Sequence, residues 1–330
     1  MDVERIAFML PRLLSPALLL VCLGPGHVWA QLEVDPALPS YERVSGVSGT
    51  IKSVGSDTMN NLMSHWAEGF QAFYPNVQIE IEGKGSSTAP PALIQGTATF
   101  GPMSRPMKVN EIDDFEARYG YKPTELGTGI DMLVLYVNKD NPLPGLSLPQ
   151  VDAMFSTNRK GGAPQDITRW GQLGLEGNWG SATISLYGRN SASGTYAIFK
   201  EHGLFSGDFK PNVKEQPGSS SVVQGVATDR FGVGYSGIGY NTSDVRALPL
   251  SISGDDYIIP GPENADAYPL SRFLLVSVNY RPGSNLDPLR REFLKYVYSQ
   301  EGQNAVVKDG YLPLPAAAAK AQLAKVGISP

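Results

Sequence analysis

The sequence contains very little cysteine and histidine. Of its 330 residues, one is cysteine and three are histidine. The cysteine, Cys22, lies in an apolar stretch close to the N-terminus, so no disulfide is expected in the remainder of the chain. Two histidines lie beyond residue 30, His65 on a predicted helix and His202 near the end of another, and two scattered histidines do not make a metal site. The sequence therefore predicts neither a disulfide-bonded nor a metal-containing protein.

Sequence motifs of phosphate-handling enzymes are also absent. A phosphatase needs a metal cluster, or a nucleophile with a positioned base. The patterns H-x-x-x-H, D-x-D, G-x-S-x-G and the P-loop do not occur, and the stretch 83–86 lacks the spacing of a P-loop. Ser193, in a polar loop, has no evident base. We therefore predict a protein that is not an enzyme, and keep a phosphatase as the contrasting hypothesis.

Runs of basic residues are missing as well. The chain has 27 lysines and arginines against 32 acidic residues, for a net charge of −5. This balance argues against nucleic acid as a partner. Because a mildly acidic chain repels anions at long range, any anion site in it has to depend on local hydrogen-bond donors.

One apolar run near the N-terminus is not expected to belong to the fold. Residues 13–23 follow two arginines and precede small residues that suit cleavage after Ala30. The run is too short to span a membrane, so residues 1–30 are interpreted as a secretory signal peptide, which predicts an exported protein. A lipoprotein signal would need a small residue before Cys22, where Val21 stands, so lipid anchoring is only the alternative. Residues 31–48 are predicted to be an extended leader.

The remaining chain of about 300 residues exceeds the usual size of a single core, so two domains are expected. Its first part contains three predicted strands, each followed by a polar loop and a helix. The loops lie at residues 55–58, 83–88 and 102–106. This alternation predicts an α/β fold with parallel strands, whose polar loops collect at one edge of the sheet. Open α/β sheets bind their ligands at that edge.

Two long apolar stretches, residues 126–138 and 273–278, are predicted to be strands that cross between the domains. They flank a loop-rich middle part of the chain. We therefore predict that domain I comprises residues 49–132 plus 271–330 and is discontinuous. Domain II would then comprise residues 133–270.

Residues 182–187 are predicted to form a strand and residues 196–202 a short helix that ends at Gly203, with a polar loop between them. Such a loop points unpaired backbone N–H groups and the positive end of a helix dipole at one spot. Ser193 and Thr195 add hydroxyl donors, and Arg189 adds a guanidinium that suits an oxyanion. Taken alone, the same pattern is also typical of a helix cap beside a solvated arginine, so both interpretations stay open.

Four motifs in order give the chain a resemblance to a known family. They are Gly55-Ser-Asp-Thr58, Gly85-Ser86-Ser87, Phe100-Gly101 and Arg189-x-x-x-Ser193-Gly194-Thr195. Their order and spacing, through about residues 49–311, resemble those of the periplasmic phosphate-binding proteins of ABC transporters.

The resemblance implies a two-domain periplasmic binding protein fold, type II-like. Each domain is then a mainly parallel sheet flanked by helices, and two strands form a hinge with the ligand cleft between the domains. It implies high-affinity binding of inorganic phosphate in the periplasm and delivery to the membrane permease of an ABC transporter. The protein is expected to be a monomer without cofactors. Binding of another tetrahedral oxyanion, sulfate or molybdate, and a role as a phosphate sensor or secretion-linked relative remain alternatives.

The resemblance also implies a set of phosphate ligands. They are the Thr58 hydroxyl, the Met59 N–H group, Ser86, Arg189, Ser193, the Gly194 N–H group and Thr195. These residues belong to three predicted helix N-termini, which are general anion-binding positions. Possible additional ligands are Asp57, Ser87, Ser104 and Arg105.

The sequence departs from the family pattern at one place. Well-characterised members carry an aspartate that accepts a hydrogen bond from the protonated phosphate, whereas Ser104 and Arg105 stand near that place here. Either Arg105 joins Arg189 as a second cation in the cleft, or it faces solvent and Ser104 is the ligand. The acceptor is then expected elsewhere. Asp57 is the closest candidate, and its alternative role is the N-cap of the helix that follows.

Overall fold

The computed structural model describes residues 32–328 of the chain. The predicted signal peptide, residues 1–30, lies outside the described residues. The strands are β1 (Thr50–Val54), β2 (Gln78–Glu82), β3 (Phe100–Met103), β4 (Thr124–Asn138), β5 (Leu146–Ser147), β6 (Ser185–Arg189), β7 (Lys214–Gln216), β8 (Gly232–Gly237), β9 (Val245–Ala247), β10 (Leu250–Ser251) and β11 (Ser271–Val278). The α-helices are α1 (Asn60–Phe73), α2 (Ala89–Ile94), α3 (Val109–Tyr119), α4 (Leu148–Phe155), α5 (Gly177–Gly180), α6 (Gly194–Ile198), α7 (Ser219–Thr228), α8 (Pro288–Val297), α9 (Gln300–Lys308) and α10 (Ala316–Ala324).

The first three strands form the parallel sheet that the sequence predicts. β1 lies between β2 and β3 and runs parallel to both. α1 packs on this sheet because its apolar side chains recur at helical spacing on one face. The buried ones include Leu62, Met63, Trp66 and Phe70. α2 has prolines in its first turn, where their missing N–H groups are tolerated. The three predicted β-loop-α units therefore exist, and their polar loops lie at one edge.

The long strand β4 joins the two halves of the sheet. Its residues 124–132 pair with β11 and its residues 133–137 pair with β8, both in antiparallel register. β6 runs parallel to β7 and β8. Within the described part of the chain, nine strands form one mixed sheet in the order β2-β1-β3-β11-β4-β8-β6-β7, with β9 beside β4. Both predicted crossing strands are present, and they are neighbours.

Buried apolar side chains form two large clusters that change over at residue 132. Core A is built from residues between 38 and 126 and between 274 and 328. Core B is built from residues between 132 and 270, together with Leu312. This distribution supports the predicted domain boundaries, which stay a prediction.

The helix after the polar loop starts earlier than expected. The sequence placed its first turn at Tyr196, whereas α6 begins at Gly194 and continues as a π-helical turn through Gly203. The reason is that the Ser193 hydroxyl accepts a hydrogen bond from the Tyr196 N–H group and so acts as the N-cap. The preceding strand, β6, begins at Ser185 and not at Ala182.

The leader and the C-terminus contribute more to the fold than the sequence indicated. Residues 32–48 have no regular strand or helix, as expected for an extended segment. However, Leu38 and Tyr41 from this leader are buried in core A. The four alanines at 316–319 begin α10, since alanine is the strongest helix former.

Candidate functional site

Polar loops from both sides of the sheet meet at its edge. The loops after β1, β2 and β3 lie on the core A side, and the loop between β6 and α6 lies on the core B side. Thr58 Oγ1 is 2.9 Å from Thr195 Oγ1. The Ser87 N–H group donates to the Ala192 carbonyl oxygen at 3.1 Å. The structure thus brings together the loops that the sequence placed at one anion site.

The place where the loops of core A and core B meet is called the junction. Three serines form a buried hydroxyl cluster beside it. Ser56 Oγ donates to Ser104 Oγ at 3.1 Å, and Ser86 Oγ lies 3.2 Å from the same oxygen. Ser86 Oγ also accepts the Ser104 N–H group at 3.0 Å. Gly194 packs so closely here that a β-carbon on it would lie 2.6 Å from Ser104 Oγ. Because a hydroxyl can donate one hydrogen bond and accept two, this cluster can reorient its hydrogens towards an anion.

Thr58 and Met59 belong to a short 3₁₀ turn before α1. The Thr58 carbonyl oxygen accepts hydrogen bonds from the hydroxyls of Tyr240 and Tyr311 at 3.1 and 2.8 Å. The Met59 N–H group donates to the Ser56 carbonyl oxygen at 3.3 Å, so it is engaged within the turn. Its contact with an anion stays a prediction, which requires this long hydrogen bond to be shared or exchanged.

Ser193 combines the two interpretations that the sequence left open. Its hydroxyl oxygen accepts the Tyr196 N–H group at 3.3 Å, so Ser193 is a helix cap. The capping contact uses only an acceptor lone pair, and the hydroxyl hydrogen stays available for an anion. Gly194 and Thr195 form the first turn of α6, where backbone N–H groups have no partner within the helix.

Arg189 ends β6 as a buried cation. Its side chain is 2% exposed, so the interpretation as a solvated loop charge is wrong. Nη1 donates to Ser219 Oγ at 2.6 Å, Nη2 donates to the Pro217 carbonyl oxygen at 3.3 Å, and Nη2 lies 3.2 Å from Asp57 Oδ2. Burial lowers the pKa of Arg189, and the Asp57 carboxylate opposes this shift. Its buried Nε has no hydrogen-bond partner among residues 32–328.

Asp57 is not the cap of the helix that follows it. No side chain caps that 3₁₀ turn, and Asp57 Oδ2 instead accepts the Ser219 N–H group at 2.8 Å. Ser219 is the first residue of α7, so the carboxylate occupies the positive end of a helix on the other side of the junction. The N-cap interpretation is therefore wrong. Asp57 contacts Arg189 and α7 because the core A part and the core B part of the chain are in direct contact here.

Arg105 is buried and paired. Its side chain is 4% exposed, so the alternative in which it faces solvent is wrong. The guanidinium forms a two-nitrogen ion pair with Glu111, at 2.8 Å from Nη1 to Oε2 and 2.7 Å from Nη2 to Oε1, and Nη2 also donates to Ser87 Oγ at 3.2 Å. Glu111 offsets the charge of Arg105. A role of Arg105 or Ser104 at the anion stays a prediction.

Sequence reasoning missed Arg272, the cation that does stand near Arg189. Arg272 Nη2 donates to Thr195 Oγ1 at 3.0 Å, and its positive charge contributes to lowering the pKa of Arg189. It is paired with the buried Asp131 on β4. The available signal was Asp131 within one predicted crossing strand and Arg272 directly before the other. The interpretation of those stretches as apolar took no account of either residue.

The site is rich in hydrogen-bond donors. Hydroxyls and guanidinium groups converge on it, whereas its carboxylates are already bound to N–H groups, a composition that suits an oxyanion. Residues 32–328 contain no group of three or more His, Cys, Asp or Glu side chains that could hold a metal ion. No helix in that part of the chain is both long and apolar enough to cross a membrane.

Comparisons with known proteins identify the family of this chain. The model of the PBP superfamily domain matches residues 42–301. The phosphate-binding protein PstS of Pseudomonas aeruginosa is 52% identical over 322 residues, which cover 97% of this chain and 99% of that protein. Protein SphX of Synechococcus elongatus is 26% identical and covers 86% of this chain and 83% of its own.

Solved structures give the same fold. A candidate phosphate ABC transporter substrate-binding protein from Clostridium perfringens, with bound phosphate, is 26% identical, with a TM-score of 0.68 over 81% of this chain and 100% of that one. An ABC-type phosphate transport receptor from Vibrio cholerae, 23% identical, has a TM-score of 0.62 over 80% of this chain and 100% of its own. The predicted fold class is confirmed. The chain belongs to the PBP superfamily and, within it, to the family of phosphate-binding proteins that includes PstS.

Proposed function

We propose that this protein binds inorganic phosphate in the periplasm and delivers it to the permease of an ABC transporter. The names of the relatives supply the substrate and the transport system. The geometry of the site supplies the chemical reason. Phosphate offers up to four oxygens, and the junction between core A and core B offers donors on both sides.

One observation carries the proposal: donors from both sides of the sheet converge at one buried place. The Thr58 and Thr195 hydroxyls face each other, and Arg189 lies next to Asp57 across the same junction. All four residues are connected by contacts that run between the two cores. An anion held between them would bind both sides at once, and so would favour the closed arrangement over an open one.

We further propose that Asp57 helps to distinguish phosphate from sulfate. Near neutral pH phosphate keeps at least one proton, whereas sulfate keeps none. A carboxylate can accept a hydrogen bond from the phosphate proton but meets only lone pairs on sulfate. Asp57 lies 3.2 Å from Arg189, the cation expected to bind the anion, so its carboxylate is close enough to take this part.

Calorimetric titration of the phosphate-stripped protein tests the function. Phosphate and arsenate, which carry a proton near neutral pH, are expected to bind, and sulfate and molybdate are expected to bind far more weakly. Binding of sulfate or molybdate without phosphate would replace the proposal with the alternative oxyanion function.

The same titration tests the site. Arg189→Ala is expected to weaken phosphate binding by about 2–5 kcal/mol. The reason is that the guanidinium and the phosphate would form a buried charge pair, and removing the guanidinium leaves the phosphate unpaired. Arg246→Gln is the matched control, since this arginine donates to the Asn141 and Leu143 carbonyl oxygens, away from the junction. Parent-like affinity in Arg189→Ala would refute the site while leaving the function standing.

Three further expectations belong to this proposal. The signal peptide predicts export, which N-terminal sequencing of the protein from a periplasmic extract checks. The monomeric state is checked by light scattering with and without phosphate. Absence of catalysis stays a prediction, and an assay for release of phosphate from an ester at high protein concentration addresses it.

A further inference from the structure

Arg272 and Asp131 form an enclosed ion pair where the chain crosses between the two cores. They are direct partners in the antiparallel register of β11 and β4. Arg272 Nε and Nη2 both donate to Asp131 Oδ2, at 3.0 and 2.7 Å. Asp131 is 0% exposed and Arg272 is 8% exposed. Two hydrogen bonds to one carboxylate hold the guanidinium in a fixed orientation.

The remaining contacts of this pair reach both sides of the junction. Arg272 Nη1 donates to the Ser104 carbonyl oxygen at 3.0 Å, on the core A side. Arg272 Nη2 donates to Thr195 Oγ1 at 3.0 Å, on the core B side. Asp131 Oδ1 accepts the Ile238 N–H group at 3.1 Å. The pair therefore connects two of the loops that carry candidate phosphate ligands to the strands at the crossing.

The chemistry of the guanidinium determines which way the Thr195 hydroxyl points. A guanidinium has N–H donors and no acceptor, so Thr195 Oγ1 must be the acceptor in its contact with Arg272. The hydroxyl hydrogen of Thr195 is then left to point away from Arg272. Thr58 Oγ1, itself a predicted anion ligand, lies 2.9 Å from Thr195 Oγ1 and can accept this hydrogen until an anion takes it.

We propose that Arg272 is a positioning residue of the phosphate site, which fixes the Thr195 hydroxyl as a hydrogen-bond donor to the bound anion. The proposal rests on the proposed function. Asp131 holds the guanidinium in register and offsets its charge, so Arg272 acts through Thr195 and not as a second free cation. The same guanidinium also donates to the Ser104 carbonyl oxygen. The orientation of the Thr195 hydroxyl, on the core B side, therefore depends on the position of the loop that carries Ser104, on the core A side.

A double-mutant cycle on phosphate affinity tests this role. Thr195→Val keeps the shape of the side chain and removes the hydroxyl. Asp131→Asn with Arg272→Gln removes both charges together, so that no unpaired charge stays buried. Each change is expected to raise the Kd for phosphate about 10- to 100-fold, the usual range for one buried hydrogen bond to a charged group. Combining them is expected to raise the Kd no more than about twofold beyond the larger single effect, because both remove the same donor.

Two results would overturn the role of Arg272. One is parent-like phosphate affinity in the neutralised pair, and the other is multiplication of the two effects in the combined variant. Thermal unfolding is measured for every variant, because a purely structural pair would lower the melting temperature without the coupling to Thr195. Arg246→Gln is the matched control and is expected to lower stability at unchanged Kd.

A second variant covers the case in which the neutralised pair does not fold. Arg272→Lys keeps a charge opposite Asp131, but its single nitrogen cannot reach Asp131, Ser104 and Thr195 together as the fork does. It is expected to weaken phosphate binding in the parent and to have no effect in the Thr195→Val background.

A parent that binds no phosphate overturns the proposed function, and the cycle is then run with arsenate, sulfate or molybdate, whichever binds. A parent that binds none of the four overturns both proposals.

Discussion

Two of the carboxylate–guanidinium pairs at the site, Asp131 with Arg272 and Asp57 with Arg189, differ in their surroundings. Asp131 is fully enclosed and is bound by two nitrogens of Arg272. Asp57 has a side chain that is 22% exposed, and one nitrogen of Arg189 approaches it at 3.2 Å. A pair held by two short hydrogen bonds in a dry place is costly to separate, whereas a single longer contact at a partly open place is not. Arg189 is therefore the guanidinium that an incoming anion can engage, and Arg272 is the one that stays with its partner.

Asp57→Asn is expected to let sulfate compete with phosphate. The asparagine oxygen can still accept the Ser219 N–H group, which Asp57 Oδ2 accepts at 2.8 Å, so the fold should keep most of its stability. The negative charge that would repel a fully ionised anion is removed. Competition calorimetry with millimolar sulfate measures the effect. Glu111→Gln is the matched control, because it removes a carboxylate from the Arg105 pair and should leave selectivity unchanged. If Asp57→Asn still excludes sulfate, the proton acceptor lies elsewhere.

Asp309 is expected to make stability depend on pH near neutrality. Burial and the neighbouring Asp131 carboxylate raise the pKa of Asp309 from 3.8 to about 7. Its Oδ2 is buried without a hydrogen-bond partner among the described residues. The folded protein therefore keeps a proton that the unfolded chain releases near its ordinary pKa. Stability from this group is complete at low pH and is lost as the pH rises to about 7.

Thermal unfolding of the parent and of Asp309→Asn at pH 5 and pH 8 measures this dependence. Between these pH values the parent is expected to lose more stability than the variant, by a difference of at least about 2 °C in melting temperature. The neighbouring Asp131, Tyr240 and Tyr311 are common to both proteins, so the difference isolates Asp309. Equal shifts in the two proteins would show that Asp309 titrates at its ordinary pKa.

At the scale of elements, periodicity and turn chemistry are sufficient to predict a helix or strand whose ends are determined by its own residues. α1 has one apolar face and α2 has prolines in its first turn, and both lie where the sequence predicts a helix after a polar loop. The ligand loops could be located because each lies between a strand and a helix. What could not be predicted was pairing between distant elements. Arg272 and Asp131 are 141 residues apart, so their pairing depends on which strands become neighbours, and no local pattern contains that information.

Gly194 at the start of α6 is expected to be necessary for closure of the site. A β-carbon there would lie 2.6 Å from Ser104 Oγ and 3.0 Å from Ser86 Cβ. Alanine is tolerated at a helix start, so Gly194→Ala should leave the unliganded protein close to parent stability. Phosphate binding is expected to weaken about 5- to 150-fold, because the two sides can no longer come together without a shift, a cost of about 1–3 kcal/mol.

Calorimetry and thermal unfolding of Gly194→Ala test this together. Gly127→Ala is the matched control, since its β-carbon would meet only the exposed Phe273 ring at 3.3 Å and the end of Gln322. The control is expected to bind phosphate as the parent does. Unchanged affinity in Gly194→Ala would show that phosphate is bound without the close approach of α6 to Ser86 and Ser104.

At the scale of the whole molecule, one strand belongs to two parts of the sheet. β4 pairs with β11 up to Met132 and with β8 from Leu133 onward. The buried apolar side chains change from core A to core B at the same place. The part of the chain that builds core B is continuous apart from Leu312. The part that builds core A needs β11 and the C-terminal helices from the far end of the chain, as well as Leu38 and Tyr41 from the leader.

The two parts are therefore expected to differ when they are produced alone. Residues 133–270 carry nearly all of core B, and a chain segment with its own core can fold by itself. Residues 49–132 lack β11, which pairs with both β3 and β4, and lack the side chains of core A that lie beyond residue 274. Circular dichroism on heating should show a cooperative transition for the fragment 133–270 and none for 49–132. Adding residues 271–330 as a separate peptide to the fragment 49–132 should restore part of the structure of that fragment. A cooperative transition in 49–132 alone, or none in 133–270, would contradict the predicted discontinuous domain I and would place the boundary of the folding units away from residue 132.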